Sequence, residues 1–374
     1  MKKILIFLVV IALFTTTVCA KEPEDEIFSE ISSELNGFKE ALPDDVINFL
    51  PKEIWIGDFS SLLDSGLEEK NFINLVIDYI FLGLGDVIKS FASIIVVVLI
   101  CSILNMLEKT SETMKSTFSL CAGLLISLSV FAITVNLLKS VTSFMKLLCT
   151  VMKTFIPIMS VMYIMTGNIT SGAVSNASML LFITFIEQFL VSFLSPIISI
   201  SICFCCMRVL GNGIDFSGLS KAFKTTFSSI LVFVMSILMF VLSTKNVLAQ
   251  STDSVSIKTA KFAISSFIPI VGASINDALR TVISSMGLIK NACGIIAIIA
   301  IVILILPPII SLLLSKLSFS ILSGICKCVS CSNESAIIDE ANSICSFLLA
   351  IICCTSVLFI FALTLFIKAA VVGV

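Results

Sequence analysis

The stretch Cys293-Gly294-Ile295-Ile296-Ala297-Ile298-Ile299-Ala300-Ile301-Val302-Ile303-Leu304-Ile305-Leu306-Pro307-Pro308-Ile309-Ile310-Ser311-Leu312-Leu313-Leu314-Ser315 decides what kind of molecule this is. It contains no Asp, Glu, Lys or Arg. A helix rises about 1.5 Å per residue, so the run is long enough to cross a hydrocarbon core of about 30 Å. Similar apolar runs lie at about 73–107, 116–138, 144–166, 179–207, 225–243, 262–285 and 345–367. Hydrophobic residues make up 58% of the 374-residue chain and charged residues 13%. Soluble domains carry about 25% charged residues, and a chain this apolar could not cover its core with polar surface. The reading is an all-α, polytopic helical membrane protein with about 7–8 hydrophobic segments.

Two of those segments, 144–166 and 262–285, contain Pro, Gly and charges and read as broken or re-entrant. They also resemble each other. Phe155-Ile156-Pro157-Ile158 recurs as Phe267-Ile268-Pro269-Ile270, an offset of 112 residues (267 − 155). Leu194-Ser195-Pro196-Ile197-Ile198-Ser199 recurs as Leu306-Pro307-Pro308-Ile309-Ile310-Ser311 at the same offset (306 − 194 = 112). Lys115-Ser116-Thr117-Phe118-Ser119 resembles Lys224-Thr225-Thr226-Phe227-Ser228 at 109 (224 − 115). Three ordered matches point to an internal repeat of about 110 residues with paired Pro-broken helices. The copies would fall at about 73–178 and 179–292, with a partial one at 293–374, inside a multispan membrane domain covering 73–374. Paired interrupted helices in internal repeats mark transport or binding sites in membrane proteins. Lysine and arginine positions do not choose between inverted and parallel copies.

At the N-terminus, Lys2 and Lys3 precede the apolar run Ile4–Phe14, and Val18-Cys19-Ala20 supplies the cleavage positions. Residues 1–20 therefore read as a signal peptide, with an uncleaved anchor as the alternative. Residues 21–72 form an acidic extracytoplasmic region that opens with Glu22, Glu24, Asp25 and Glu26. Phe28, Ile31, Leu35, Phe38 and Leu42 follow at helical spacing, which predicts an amphipathic helix, either a solvated cap or a docking site.

There is no histidine, which removes Ser-His-Asp and Cys-His nucleophile pairs and His-containing metal sites. The 14 cysteines lie mostly inside apolar runs and behave there as small hydrophobes. Cys326, Cys328 and Cys331 are close enough to suggest a metal cluster but lack a fourth ligand, so no metal is expected. No Walker A loop or dinucleotide fingerprint is present, so neither cofactor nor enzyme activity is expected. The net charge of -2 gives no argument for nucleic acid. Ionisable groups inside membrane segments are costly and often functional, which singles out Glu187, Asp277 and Arg280. Lys153 reads as a snorkelling charge, and Asp277 and Arg280 are three apart and able to pair on one helical face. Pro157, Pro269 and Gly272 complete the candidate functional or packing residues, because Pro frees a carbonyl and Gly admits a close backbone.

Around the second Pro-containing segment the residues resemble a known family. Ile257-Lys258-Thr259-Ala260-Lys261-Phe262 leads into Phe267-Ile268-Pro269-Ile270-Val271-Gly272, then Asp277, Thr281-Val282-Ile283-Ser284, Leu288-Ile289-Lys290-Asn291 and Gly294. This pattern is similar to the stage III sporulation protein AE family of endospore-forming Firmicutes. The first copy departs from it, with Tyr163 and Met165 where a charged helix would follow. The resemblance implies a multi-pass protein of the mother-cell membrane facing the forespore. It implies a non-enzymatic role in a channel, or feeding-tube, complex that supports late forespore sigma-factor activity. The implied partners are other stage III sporulation proteins of the same operon and a forespore membrane partner, within the lipid bilayer; a homo-oligomer is compatible with it. The alternative from the repeat alone is a standalone secondary transporter.

Overall fold

A computed structural model describes residues 33–50, 69–106, 112–165, 168–210, 217–267, 272–328 and 332–368, and every regular element among them is a helix. In chain order these are α1 (33–41), α2 (Asp44–Phe49), α3 (Glu69–Met106), α4 (Glu112–Met165), α5 (Ile169–Leu210), α6 (Ser217–Phe267), α7 (Gly272–Cys328) and α8 (Ser332–Lys368). By length and composition five of them can cross a membrane, α4 to α8. α3 makes a sixth if its two halves, bent by 44° between Lys89 and Ile94, count as one span.

That is fewer spans than apolar segments, and the difference has a physical origin. Segments 116–138 and 144–166 belong to the single helix α4. The polar link Lys139-Ser140-Val141-Thr142-Ser143 contains no Gly or Pro, and each residue in it is tolerated inside a helix. Segment 262–285 runs partly outside the described residues, and its described parts supply the end of α6 and the start of α7. Pro157 does not break α4, which continues for eight residues to Met165 (165 − 157). A proline costs the bond to the carbonyl four residues earlier, and in an apolar setting the rest of the ladder holds because nothing else can satisfy it. Pro196 inside α5 and Pro307 and Pro308 inside α7 are carried the same way.

α8 is the centre of the bundle and packs on α4, α5, α6 and α7. Its buried face runs through Leu348, Ile352, Phe359 and Leu363. Phe359 meets Phe182 of α5, and Phe347 meets Phe227 of α6, both edge-on at ring-centroid distances of 5.8 Å. Gly294 of α7 lies against Ile367 of α8, where a side chain on residue 294 would collide. The outer surface is apolar as well: Phe81, Leu82, Phe233, Phe240 and Val357 are exposed, as a surface in contact with acyl chains requires.

Part of the predicted N-terminal amphipathic helix is present as α1, where Leu35 and Phe38 are buried, as is Leu42 just beyond its end. Phe38 packs on Phe155 of α4 at 5.7 Å, so this segment lies on the bundle. α2 follows Pro43 with Asp44 and Asp45 in its first turn, where carboxylates suit the helix dipole. Tyr79 of α3 donates to Asp45 at 3.2 Å. The signal peptide, Phe28 and Ile31 lie outside the described residues.

Candidate functional site

α4 and α5 form an antiparallel hairpin whose turn is closed by the Asn168 N–H donating to the Tyr163 carbonyl at 3.0 Å. Gly172 sits one turn into α5, and a Cβ there would lie 2.7 Å from the Tyr163 Cβ. Only glycine lets the helices approach this closely, which is how small residues act at membrane helix crossings. The Tyr163 ring is fully buried against Phe366 at 5.6 Å, and its hydroxyl donates to the Phe366 carbonyl. That bond ties the hairpin to the C-terminal end of α8. One turn deeper, Asn176 Nδ2 donates to Ser160 Oγ at 2.8 Å.

Further along the hairpin stands an ion pair. Lys153 Nζ of α4 lies 2.6 Å from Glu187 Oε2 of α5. Counting residues from the turn puts Lys153 about 18 Å and Glu187 about 27 Å along their helices. Both lie within stretches long and apolar enough to span, and both side chains are about one-third exposed, 39% and 32%. Lys153 is also the residue whose backbone carbonyl Pro157 deprives of its usual helical partner. The sequence treats these two charges separately, and the fold joins them.

A second, more enclosed pair links α6 to α8. Lys224 Nζ lies 2.7 Å from Glu340 Oε1, with the side chains 6% and 13% exposed. Lys224 also donates to Ser343 Oγ at 2.7 Å, and Ser220 Oγ donates to the same Glu340 oxygen. Two donors on one carboxylate and two acceptors on one ammonium are what a buried pair needs to offset its desolvation. Near the α7–α8 connection Lys327 pairs with Asp339 at 2.7 Å, and Ser323 donates to Asp339. Those two charges are 58% and 45% exposed, so this contact is screened and weak.

Between α3, α4 and α7 a cleft of about 380 Å³ opens. Tyr79, Asn136, Ser140, Ser311 and Ser315 are the polar residues of its largely apolar lining, beside Pro307 of α7. The second Pro-containing segment is harder to place. Pro269 lies outside the described residues, and Gly272, Asp277 and Arg280 fall on the α7 backbone with side chains outside the described residues. Cys326 is buried and Cys328 exposed, and among the described residues no group of three His, Cys, Asp or Glu could hold a metal ion. Glu340, Ser343 and the Tyr163 hydroxyl are the polar groups sequence reasoning missed. Tyr163 carried a usable signal, being one of 2 tyrosines in the chain and set in an apolar run. Glu340 lies outside the apolar run 345–367, and only packing reveals that its helix starts earlier and largely encloses it.

The family model for stage III sporulation protein AE matches residues 61–370. A protein of that name from Bacillus subtilis (strain 168) is 22% identical over 315 residues, covering 82% of this chain and 77% of that protein. No solved structure matches. The match begins before α3 and ends beyond α8, taking in the Gly172 crossing and the three interhelical ion pairs described above, and the chain belongs to the stage III sporulation protein AE family.

Proposed function

We propose that this protein is a non-enzymatic component of a channel complex joining the mother cell to the forespore, needed for late forespore sigma-factor activity. Its partners in this reading are other stage III sporulation proteins and a forespore membrane protein. Family membership and the apolar helices make it a multi-pass sporulation membrane protein. The observation that carries the finer reading is the family match over nearly all of the bundle. Charges paired between helices support it too, because a conducting or assembling bundle must hold polar groups away from lipid.

The internal repeat belongs to the same reading. Its copies are taken at about 73–178 and 179–292 with a partial one at 293–374, and Pro196 of α5 and Pro308 of α7, which stand 112 residues apart (308 − 196) inside long helices, support a recurring unit. In a sporulating host that lacks its own copy, cells should complete engulfment, then arrest with a silent late forespore sigma-factor reporter. This chain should restore the reporter, and D277A, inserted at normal level, should not. Full reporter activity without the protein would overturn the functional reading.

A further inference from the structure

α4 carries a polar feature beyond its pairing with Glu187. Lys139, Lys146 and Lys153 are spaced seven apart, close to two turns, so they share one face of the helix. Ser143 and Thr150 lie between them on that face. Lys139, Ser143, Lys146 and Thr150 are exposed and Lys153 is half-buried. Between Phe131 and Ile164 no described position on α4 exposes a large hydrophobic side chain.

The neighbouring helices behave differently at the same levels. Beside Glu187, α5 exposes Leu181 and Phe185. Beside Thr355, whose hydroxyl meets Met145 Sδ of α4, α8 exposes Val357. Where Asn136 and Ser140 line the cleft, α3 exposes Leu82 and Ile88. At these levels α3, α5 and α8 each expose large hydrophobic side chains, with Gln188 and Ser192 of α5 exposed among them, whereas this stretch of α4 exposes none. Among the described residues neither Lys139 nor Lys146 has an acidic partner.

Three lysines spread over about 21 Å of helix cannot all reach one membrane interface. Lys146 stands about 10 Å from each of the other two along the axis. Acyl chains are a poor solvent for such a face, and a second copy of the same face would repel it. Water remains. Rings and rows of lysine are how pores favour anions.

We propose that this face of α4 lines a water-filled path, continuous with the Asn136–Ser140 cleft, that admits small carboxylate- or phosphate-bearing anions in preference to cations. The proposal rests on the reading of the chain as part of a channel complex.

The test labels S143C in membranes holding the full chain, with native cysteines kept. Labelling is read by fragment mass at residue 143 itself, so that native Cys121 and Cys149 do not contribute in any variant. The probes are two water-soluble thiosulfonates, one bearing a sulfonate and one a trimethylammonium group. The sulfonate reagent should win by about tenfold over its ratio with a free thiol, the low end of what charge-lined clefts achieve. K139Q/K146Q should bring that ratio back near one. Failure of both reagents to react, with the protein inserted, would mean that lipid or another helix covers the face, and would overturn the proposal. Equal rates would leave the face wet without anion preference and overturn it as well. S140C serves as a second site if S143C does not insert. If cells without the protein keep full late reporter activity, the functional reading fails on its own, whatever the labelling shows.

Discussion

Glu340→Ala isolates the most enclosed charge pair in the bundle. It removes the only carboxylate within 4.0 Å of Lys224 among the described residues and leaves that ammonium, 6% exposed, with Ser343 alone. Breaking one side of a buried pair costs about 3–5 kcal/mol. Lys224 lies within the first two turns of the Gly218–Lys245 span, so the cost of about 2.5–3.5 kcal/mol for an uncompensated lysine at a helix centre is an upper bound there. Ser220, released from Glu340, is free to turn toward Lys224 and return about 1 kcal/mol. The expected loss is about 3 kcal/mol, roughly a hundredfold in the folding equilibrium. Reversible unfolding of the full chain in mixed detergent micelles measures it. The companion variant is K224M/E340L, which removes both charges and keeps the volume. Replacing a buried pair by apolar residues is often neutral or better, so the double variant should lie within about 1 kcal/mol of the parent. A single variant costing under about 1 kcal/mol, or a double variant losing as much as the two singles together, would refute the reasoning that α6 and α8 are held in register by this pair.

At the half-exposed pair the same logic gives a smaller effect. Glu187→Gln keeps a hydrogen bond to Lys153 but loses the charge, and should cost about 1–2 kcal/mol in the same unfolding assay, relieved by adding K153M. No coupling between the two substitutions would show that the contact contributes nothing. Gly172→Val drives a branched side chain into the Tyr163 Cβ and should cost about 3 kcal/mol or prevent the hairpin from closing, with Gly172→Ala intermediate. Thermal melting in detergent that found Gly172→Val as stable as the parent would mean the helices part there without penalty.

The class of fold was legible because lipid imposes it. A run such as Cys293–Ser315 has few physical options, and 58% apolar composition removes the soluble ones. The element count was less legible for the same reason. Apolar windows separated by Lys139–Ser143 look like two spans, yet nothing in that link stops a helix, and α4 runs straight through it. Pro157 misled in the same direction. Proline breaks helices in water, where freed groups find new partners, but inside a bundle the continuous helix satisfies more of its backbone than a break would.

The candidate site was legible as a list and not as an arrangement. Glu187 was singled out because a short acid cannot snorkel far, and Lys153 was set aside because a long base can. Each judgement treats one residue against lipid. The hairpin turn at Asn168 changes the comparison: it folds α5 back along α4 and places the two charges 2.6 Å apart, so neither needs the interface. Lys224 and Glu340 are separated by 116 residues (340 − 224), and no local spacing rule reaches across that distance. Periodicity reports which face of a helix is buried, while pairing depends on the depth at which two helices cross, and here that depth is set by glycines and ring contacts such as Gly172 on Tyr163 and Phe347 on Phe227. A stripe of like charges on one helix is the exception, since its spacing is local. Lys139, Lys146 and Lys153 could be read as one face from sequence alone, and what the fold adds is that the neighbouring helices expose large hydrophobic side chains at those levels while α4 exposes none, which turns an ordinary polar face into one that must be kept from lipid.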